Sequence, residues 1–264
     1  MKKLLFITWS VSYGYGTEKS LADVPNRMDE REYAIDILPL FKYAESTIFR
    51  ERIRLLEPLI DYTQKEFDEE TALKRYYALL ADPLQFNRRI TEKYDCVIAC
   101  NHNVPSYFAS YLTAGAKVVW IRGDLRELDE TRAEPGSDER RLIAQEHEMQ
   151  ANVFRQFDRI VVISDGVQKA LRALFGITEK VKKITNSVNL EKIVLMSEEK
   201  VPLPDKMLFT SLGRLDYNKN QILLLKAAKE LKKSAEISRY GFSETAPTAP
   251  CWKNSSQKIN WKKT

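Results

Sequence analysis

The stretch YDCVIACNHNVPSYFASYLTAGAKVVWIRG, residues 94–123, holds two short apolar runs with a helix-patterned segment between them. YDCVIAC and AKVVWIRG are bounded by charged or turn residues, as strands covered on both faces of a sheet are. Val104–Ala114 has helical spacing, and a strand, a helix and a second strand in that order make a parallel pair. The same alternation extends outward in both directions. KKLLFITW opens the chain and EYAIDILPLF follows near residue 33; RIVVIS, KKITNS and KMLFTSLGR come after. Helical patterns fall between them at Thr17–Arg31, in several segments from Thr47 to Thr91, at Ser137–Phe157 and at Gly166–Phe175. The pattern predicts an open, doubly wound α/β domain, in which ligands bind beyond the carboxyl ends of the strands.

Composition narrows the function classes. Hydrophobic residues make up 44% of the 264 residues and charged residues 30%, as in ordinary globular proteins. No run approaches the roughly 18 apolar residues of a membrane span, and MKKLLFITWSVSYGYG is too strand-like for a secretory signal. Three scattered cysteines argue against a disulfide framework, so a reducing cytoplasm is expected. The net charge is +5, and residues 234–264 contribute +3 of it through five Lys/Arg and two Glu. The body is nearly balanced and has no basic stripe, so no nucleic-acid partner is expected.

Near residue 195 the texture changes. MSEEKVPLPDK, with two prolines, reads as a linker over 195–205. The preceding 1–194 form one Rossmann-like domain. Residues 206–233 then read as a fresh strand, a loop and a helix whose apolar face is Ile222, Leu225, Ala228 and Leu231. One βα unit cannot bury its own faces, so this second domain is expected to be incomplete. Residues 234–264 show no period and are expected to be a non-native or disordered tail.

Two loops after strands could carry chemistry. In SVSYGYGTEKSL, Gly14 and Gly16 permit a sharp turn and close backbone approach. Thr17 can cap the next helix, and Glu18 sits in its first turn, where the dipole favours a carboxylate. In SLGRLDYNKNQ, Gly213 follows a strand, and Arg214 and Lys219 place two cations near a helix N-terminus, an arrangement suited to a diphosphate. The plainer alternatives are a capped turn and a pair of solvated basic residues.

These pieces resemble glycosyltransferase family 4, whose members have the two-domain GT-B fold. Gly213-Arg214-Leu215 followed by Lys219-Asn220 is similar to the family's nucleotide-sugar loop, and GTEKSL to its Gly-Gly-x-Glu loop. FDRIVVISDGVQKAL resembles the strand and helix that close the first domain. KKITNSVNLEKI resembles the approach to the hinge, with Asn186 and Val188 matching Asn-x-Val. The resemblance covers residues 2–233. It implies a retaining hexosyltransferase that uses a nucleotide-diphosphate sugar, with no further cofactor and no metal. The acceptor would be a glycan or a lipid-linked molecule in surface polysaccharide assembly, with possible contact at the inner membrane face. Gly213, Arg214, Lys219 and Asn220 would hold the donor diphosphate and stabilise the leaving nucleotide. Gly16 and Glu18 would face the cleft, and Asp124 would contact acceptor hydroxyls. Arg122 stands where the family often has His, so that residue's role lapses. Pro25 interrupts the first helix, at a cost of about 3 kcal/mol if interior.

The family continues into a strand ending in Gly-x-Gly-Pro and a further helix, and residues 234–264 contain neither. A one-base shift of frame accounts for this. Cys251–Trp252 and Asn260–Trp261 then encode Leu, Trp252–Lys253 and Trp261–Lys262 encode Glu, and permitted codons elsewhere read LWVFGDGPYRAVLEELIAENQLEE. A frameshifted, truncated transferase without glycosyl transfer of its own is therefore expected, and the gene's nucleotide sequence decides the point. The rivals are a non-catalytic α/β binding module and another nucleotide-binding α/β enzyme.

Smaller signals are weighed against plain structural roles. Cys96, Cys100 and His102 lie close together, but a strand position and the lack of a fourth ligand favour buried cysteines over a metal site. His102 follows a strand end and could face the cleft. His147 reads as a solvated helix residue. STIFRERIRLLEPLIDY reads as a helix laid on the sheet, with a basic amphipathic membrane contact as the alternative.

Overall fold

A computed structural model describes residues 1–12, 16–65, 67–199, 209–212, 219–234 and 240–243. The chain divides into two compact units, Met1–Val188 and Asn189–Thr264.

In the first unit, β1 (Lys2–Ser10), α1 (Gly16–Arg27) and β2 (Tyr33–Lys42) are followed by two short strands, β3 (Arg54–Leu55) and β4 (Ile60–Asp61). Helices α2 (Glu69–Ala81) and α3 (Pro83–Arg89) lead to β5 (Tyr94–Ala99), α4 (Val104–Tyr111) and β6 (Ala114–Ile121). Two 3-10 turns, Leu125–Leu128 and Glu130–Arg132, precede α5 (Asp138–Arg155), β7 (Arg159–Val162), α6 (Asp165–Phe175) and β8 (Val181–Lys183). The sheet runs β3-β2-β1-β5-β6-β7-β8, with β4 also on β2, and its strands pair in parallel. This is the α/β class expected from the apolar runs.

Both faces of the sheet are covered, which is why those runs are continuous. Leu5, Ile7, Val97, Ala99, Val119 and Ile121 belong to one core cluster, with Phe86 and Phe108. Leu4, Phe6, Ile35, Ile37 and Trp120 belong to the other, with Leu21 of α1. The helices start and stop on local signals. Ser137 and Ser164 accept hydrogen bonds from Arg140 N and Val167 N at the starts of α5 and α6. Gly176 (φ 65°) ends α6 in the left-handed conformation.

Three expectations need correction. Among the described residues no helix forms between β2 and α2, so STIFRERIRLLEPLIDY is neither a helix on the sheet nor a membrane-binding amphipathic helix. Its arginines have distant partners instead. Arg52 Nη2 donates to the carbonyls of Pro25, Asn26 and Met28 at 2.9, 3.3 and 2.7 Å. Arg54 binds Asp36 through Nε and Nη2 at 2.9 and 2.5 Å. Pro58 also opposes helical backbone at its predecessor, and the chain adds β3 and β4 to the edge of the sheet. Second, Pro25 lies in the last turn of α1, which stops at Arg27 rather than Arg31; Arg52 satisfies carbonyls that this early stop exposes. Third, His147 is not a solvated helix residue. It is half-buried, its Nε2 donates to Leu174 O at 2.9 Å, and it meets the edge of Phe175 at 4.6 Å, joining α5 to α6.

The second unit contains α7 (Leu190–Ser197), β9 (Phe209–Leu212), α8 (Gln221–Ser234) and β10 (Tyr240–Ser243). Strands β9 and β10 pair in parallel. The expected linker overlaps the end of α7, and β10 falls within the segment expected to be a tail. On the expected face of α8, Ala228 is buried while Ile222 is exposed.

Candidate functional site

The carboxyl ends of β1, β5 and β6 gather one group of polar residues of the first unit. Ser10 ends β1, and its Oγ donates to Glu18 Oε1 at 2.8 Å. Glu18, in the first turn of α1, is only 6% exposed, so its carboxylate binds strand to helix as well as meeting the helix dipole. Gly16 opens α1, and a Cβ there would meet nothing within 4 Å.

Arg122, one residue beyond β6, reaches the same first turn. Its Nη2 donates to Thr17 O and Ser20 Oγ, and its guanidinium lies 4.6 Å from the centre of the Trp120 ring. Burial opposes its charge and lowers its pKa, an effect the neighbouring Cys100 partly offsets. Its Nε is buried without a hydrogen-bond partner among the described residues. This cation ties the end of β6 to α1.

Beyond β5 lies His102, 1% exposed. Its Nε2 is 2.5 Å from Glu127 Oε1, and its Nδ1 is 3.1 Å from Asn101 Oδ1. The backbone N–H of Arg122 also donates to Asn101 Oδ1, at 3.3 Å. That bond identifies the atom as the amide oxygen, so Nδ1 of His102 carries a proton and donates. A Cβ on residue 123 would lie 2.7 Å from His102 Cε1, so Gly123 leaves room for the ring.

Asn103 follows with φ 61° and ψ −136°, a conformation that costs a residue with a side chain roughly 1–3 kcal/mol. A closed ring of hydrogen bonds holds it. Asn103 N–H donates to Gln150 Oε1 at 2.8 Å, Gln150 Nε2 to Ser106 Oγ at 2.9 Å, and Ser106 Oγ to Asn103 O at 2.8 Å. Gln150 and Ser106 are fully buried.

Asp124 follows Arg122 and Gly123. It caps the first 3-10 turn by accepting from Arg126 N, and it pairs with the Arg126 guanidinium at 2.6 Å. The Arg126 hydrogen bonds hold its carboxyl below the usual range. Lys219 and Asn220 lie before α8. Asn220 (φ 48°) accepts from Leu223 N through its backbone oxygen at 2.9 Å and through Oδ1 at 3.3 Å, forming the cap of α8. Lys219 is exposed. Gly213 and Arg214 lie outside the described residues. Burial pushes the Cys100 thiol up to about 12 and raises that of Cys96. Among the described residues no cluster of three His, Cys, Asp or Glu could hold a metal, and no helix is long and apolar enough to cross a membrane.

The structure thus brings together Gly16, Glu18 and Arg122 on one side of the strand ends, and His102, Asn101 and Glu127 at the ends of β5 and β6. Glu127 was not singled out from the sequence. It stands 25 residues from His102, in RGDLRELDE, where acids and bases alternate without a motif. It lies six positions past the end of β6, and no local signal marks it.

No protein-family model matches the chain, and no curated protein matches it in sequence. Solved structures do match. Anabaena HepE in complex with UDP and glucose aligns with a TM-score of 0.62 at 16% identity, over 98% of this chain and 64% of that one. Sucrose-phosphate synthase from Thermosynechococcus elongatus aligns at 0.60 with 12% identity, over 95% and 64%. The lipopolysaccharide outer core galactosyltransferase WaaB, in its apo form, aligns at 0.50 with 14% identity, over 97% and 71%. This chain therefore spans less than two thirds of the length of the first two. At such identities the likeness is one of fold: an α/β fold with a parallel central sheet, matching that of GT-B glycosyltransferases.

Proposed function

We propose that this chain belongs to a retaining glycosyltransferase of family 4. It would move a hexose from a nucleotide-diphosphate sugar to a glycan or lipid-linked acceptor in surface polysaccharide assembly. The first unit is the acceptor-side domain, and β9, α8 and the loop between them open the donor-side domain. One observation carries the reading. In a fold matched over nearly the whole chain by a UDP-bound neighbour, the polar groups converge on the carboxyl ends of the strands, where such sheets take ligands.

Each group has a task in this reading. Arg214 and Lys219 oppose the diphosphate charge at the start of α8, whose N–H groups add to it. Arg122 and Glu18 hold the first turn of α1 against the sheet. Asp124 and Glu127 offer carboxylates to acceptor hydroxyls. The test is calorimetric titration of the purified chain with UDP. Binding is expected, weakened about tenfold or more in Arg214→Ala through loss of a charge-assisted phosphate contact. A chain that binds no UDP refutes the reading.

A further inference from the structure

The groups around Glu127 define what its carboxylate can meet. Oε1 is committed to His102 at 2.5 Å, with the Asn103 amide further off at 3.5 Å. No hydrogen bond reaches Oε2 among the described residues, and the Glu127 side chain is 54% exposed. The neighbouring cations are engaged elsewhere. Arg126 grips Asp124 through Nε and Nη2 at 2.9 and 2.6 Å, and Arg122 is folded against Trp120 and α1.

The contact with His102 takes up Oε1, so Oε2 is the carboxylate oxygen left to accept from a ligand. A carboxylate repels phosphate, and among the described residues no cluster of three His, Cys, Asp or Glu is present to hold a metal ion. What remains is an oriented oxygen that accepts a hydrogen bond. The orientation is built in: Asn101 fixes the imidazole, Gly123 makes room for it, and the strained turn at Asn103 is held by buried Gln150.

We propose that Glu127, set by His102, accepts a hydrogen bond from a hydroxyl of an uncharged sugar, and that this pair is the acceptor-sugar contact of the domain. His102 is a positioning residue that acts through Glu127. The inference rests on the glycosyl-transfer reading and names the chemistry of its acceptor side.

The test uses the full chain and methyl α-D-glucopyranoside as the probe. Binding is followed by amide NMR shifts, with UDP titrated into the same samples. The hexoside should perturb amides of residues 101–103 and 124–127. Glu127→Gln still accepts from His102 through its amide oxygen, but turns an N–H donor toward the ligand. It should weaken hexoside binding about tenfold, the worth of one charge-assisted hydrogen bond, and leave UDP binding and melting temperature unchanged. Glu130→Gln, in the next 3-10 turn, should bind as the unmodified chain does. Hexoside binding that is absent, or unaltered by Glu127→Gln, overturns the proposal. If UDP still binds in that case, the glycosyl-transfer reading stands; if neither ligand binds, both fall.

Discussion

At the amino end of the sheet, Asp36 accepts from Arg54 and from Tyr94 Oη at 2.7 Å, with Lys3 at 3.6 Å and Glu92 joined to Lys3 and Arg54. At the carboxyl end, His102 is set between Asn101 and Glu127 beside a strained Asn103 and an Arg122 whose Nε is unpartnered. Both networks are polar and centre on a buried side chain, Asp36 or His102, but they are finished to different degrees. The Asp36 carboxylate has its hydrogen bonds and charges met, next to a cavity of about 270 Å³ lined by Leu38, Leu56, Phe86, Ile90 and Tyr94. The carboxyl-end network carries strain, an open carboxylate oxygen and an orphaned donor. The first arrangement stabilises the fold; the second, in the function proposed above, holds groups ready for a ligand.

Substitutions should separate the two ends. The largest effect on stability is expected from Asp36→Ala, which strands Tyr94, Lys3 and Arg54. Breaking a fully buried pair costs roughly 3–5 kcal/mol, but Arg54 is half exposed and screened, so a loss of about 2–3 kcal/mol in urea unfolding is expected. UDP and hexoside binding should not change, and a binding defect in folded Asp36→Ala would break the comparison. The same site sets an acid limit. Burial alone would raise the Asp36 carboxyl, but the Arg54 and Tyr94 hydrogen bonds and the nearby cations outweigh it and lower its pKa. Its contribution is therefore fully present above the unfolded carboxyl pKa of about 3.9. It is lost as pH falls through the lower folded value, and unfolding followed from pH 6 to pH 2 should lose that sensitivity in Asp36→Ala.

At the other end, Gln150→Ala should cost about 2 kcal/mol by leaving the Asn103 N–H and Ser106 buried without partners; amide exchange at Asn103 should quicken with it. Tyr94→Phe removes one hydrogen bond to Asp36 and should cost about 1 kcal/mol, with no effect on ligand binding. Asn103→Gly is the smallest and has the opposite sign. It relieves the positive φ and should raise stability by up to about 1 kcal/mol, measured by the same unfolding curves. A loss of stability there would show that Asn103 is not strained.

Much of the architecture was legible because both faces of the sheet are covered. A strand buried on both sides must be apolar throughout, so 2–10, 33–42, 94–99, 114–121 and 159–162 announce themselves. The stretch from Tyr43 to Phe67 did not. Its apolar residues look helical, yet Arg52 and Arg54 find partners 18 to 38 residues away, and aromatic contacts such as Tyr43 with Tyr62 at 4.9 Å replace a helical face. Local periodicity cannot register such distant partners. In the candidate site, His102 stood out as a residue after a strand end, whereas Asn101, Glu127 and Gln150 gave no local signal. Cys100 was rightly read as a buried thiol, and His147 misread because its partners lie on another helix.

By itself, the order of apolar runs, caps and turn residues determined that this chain builds a parallel sheet with helices on both sides, since those features act over a few residues. Only the tertiary structure decided which polar groups meet. Parallel strands place residues far apart in sequence side by side at one edge, so that Glu127 comes to grip His102 and Arg122 to hold α1 through contacts that no spacing rule encodes.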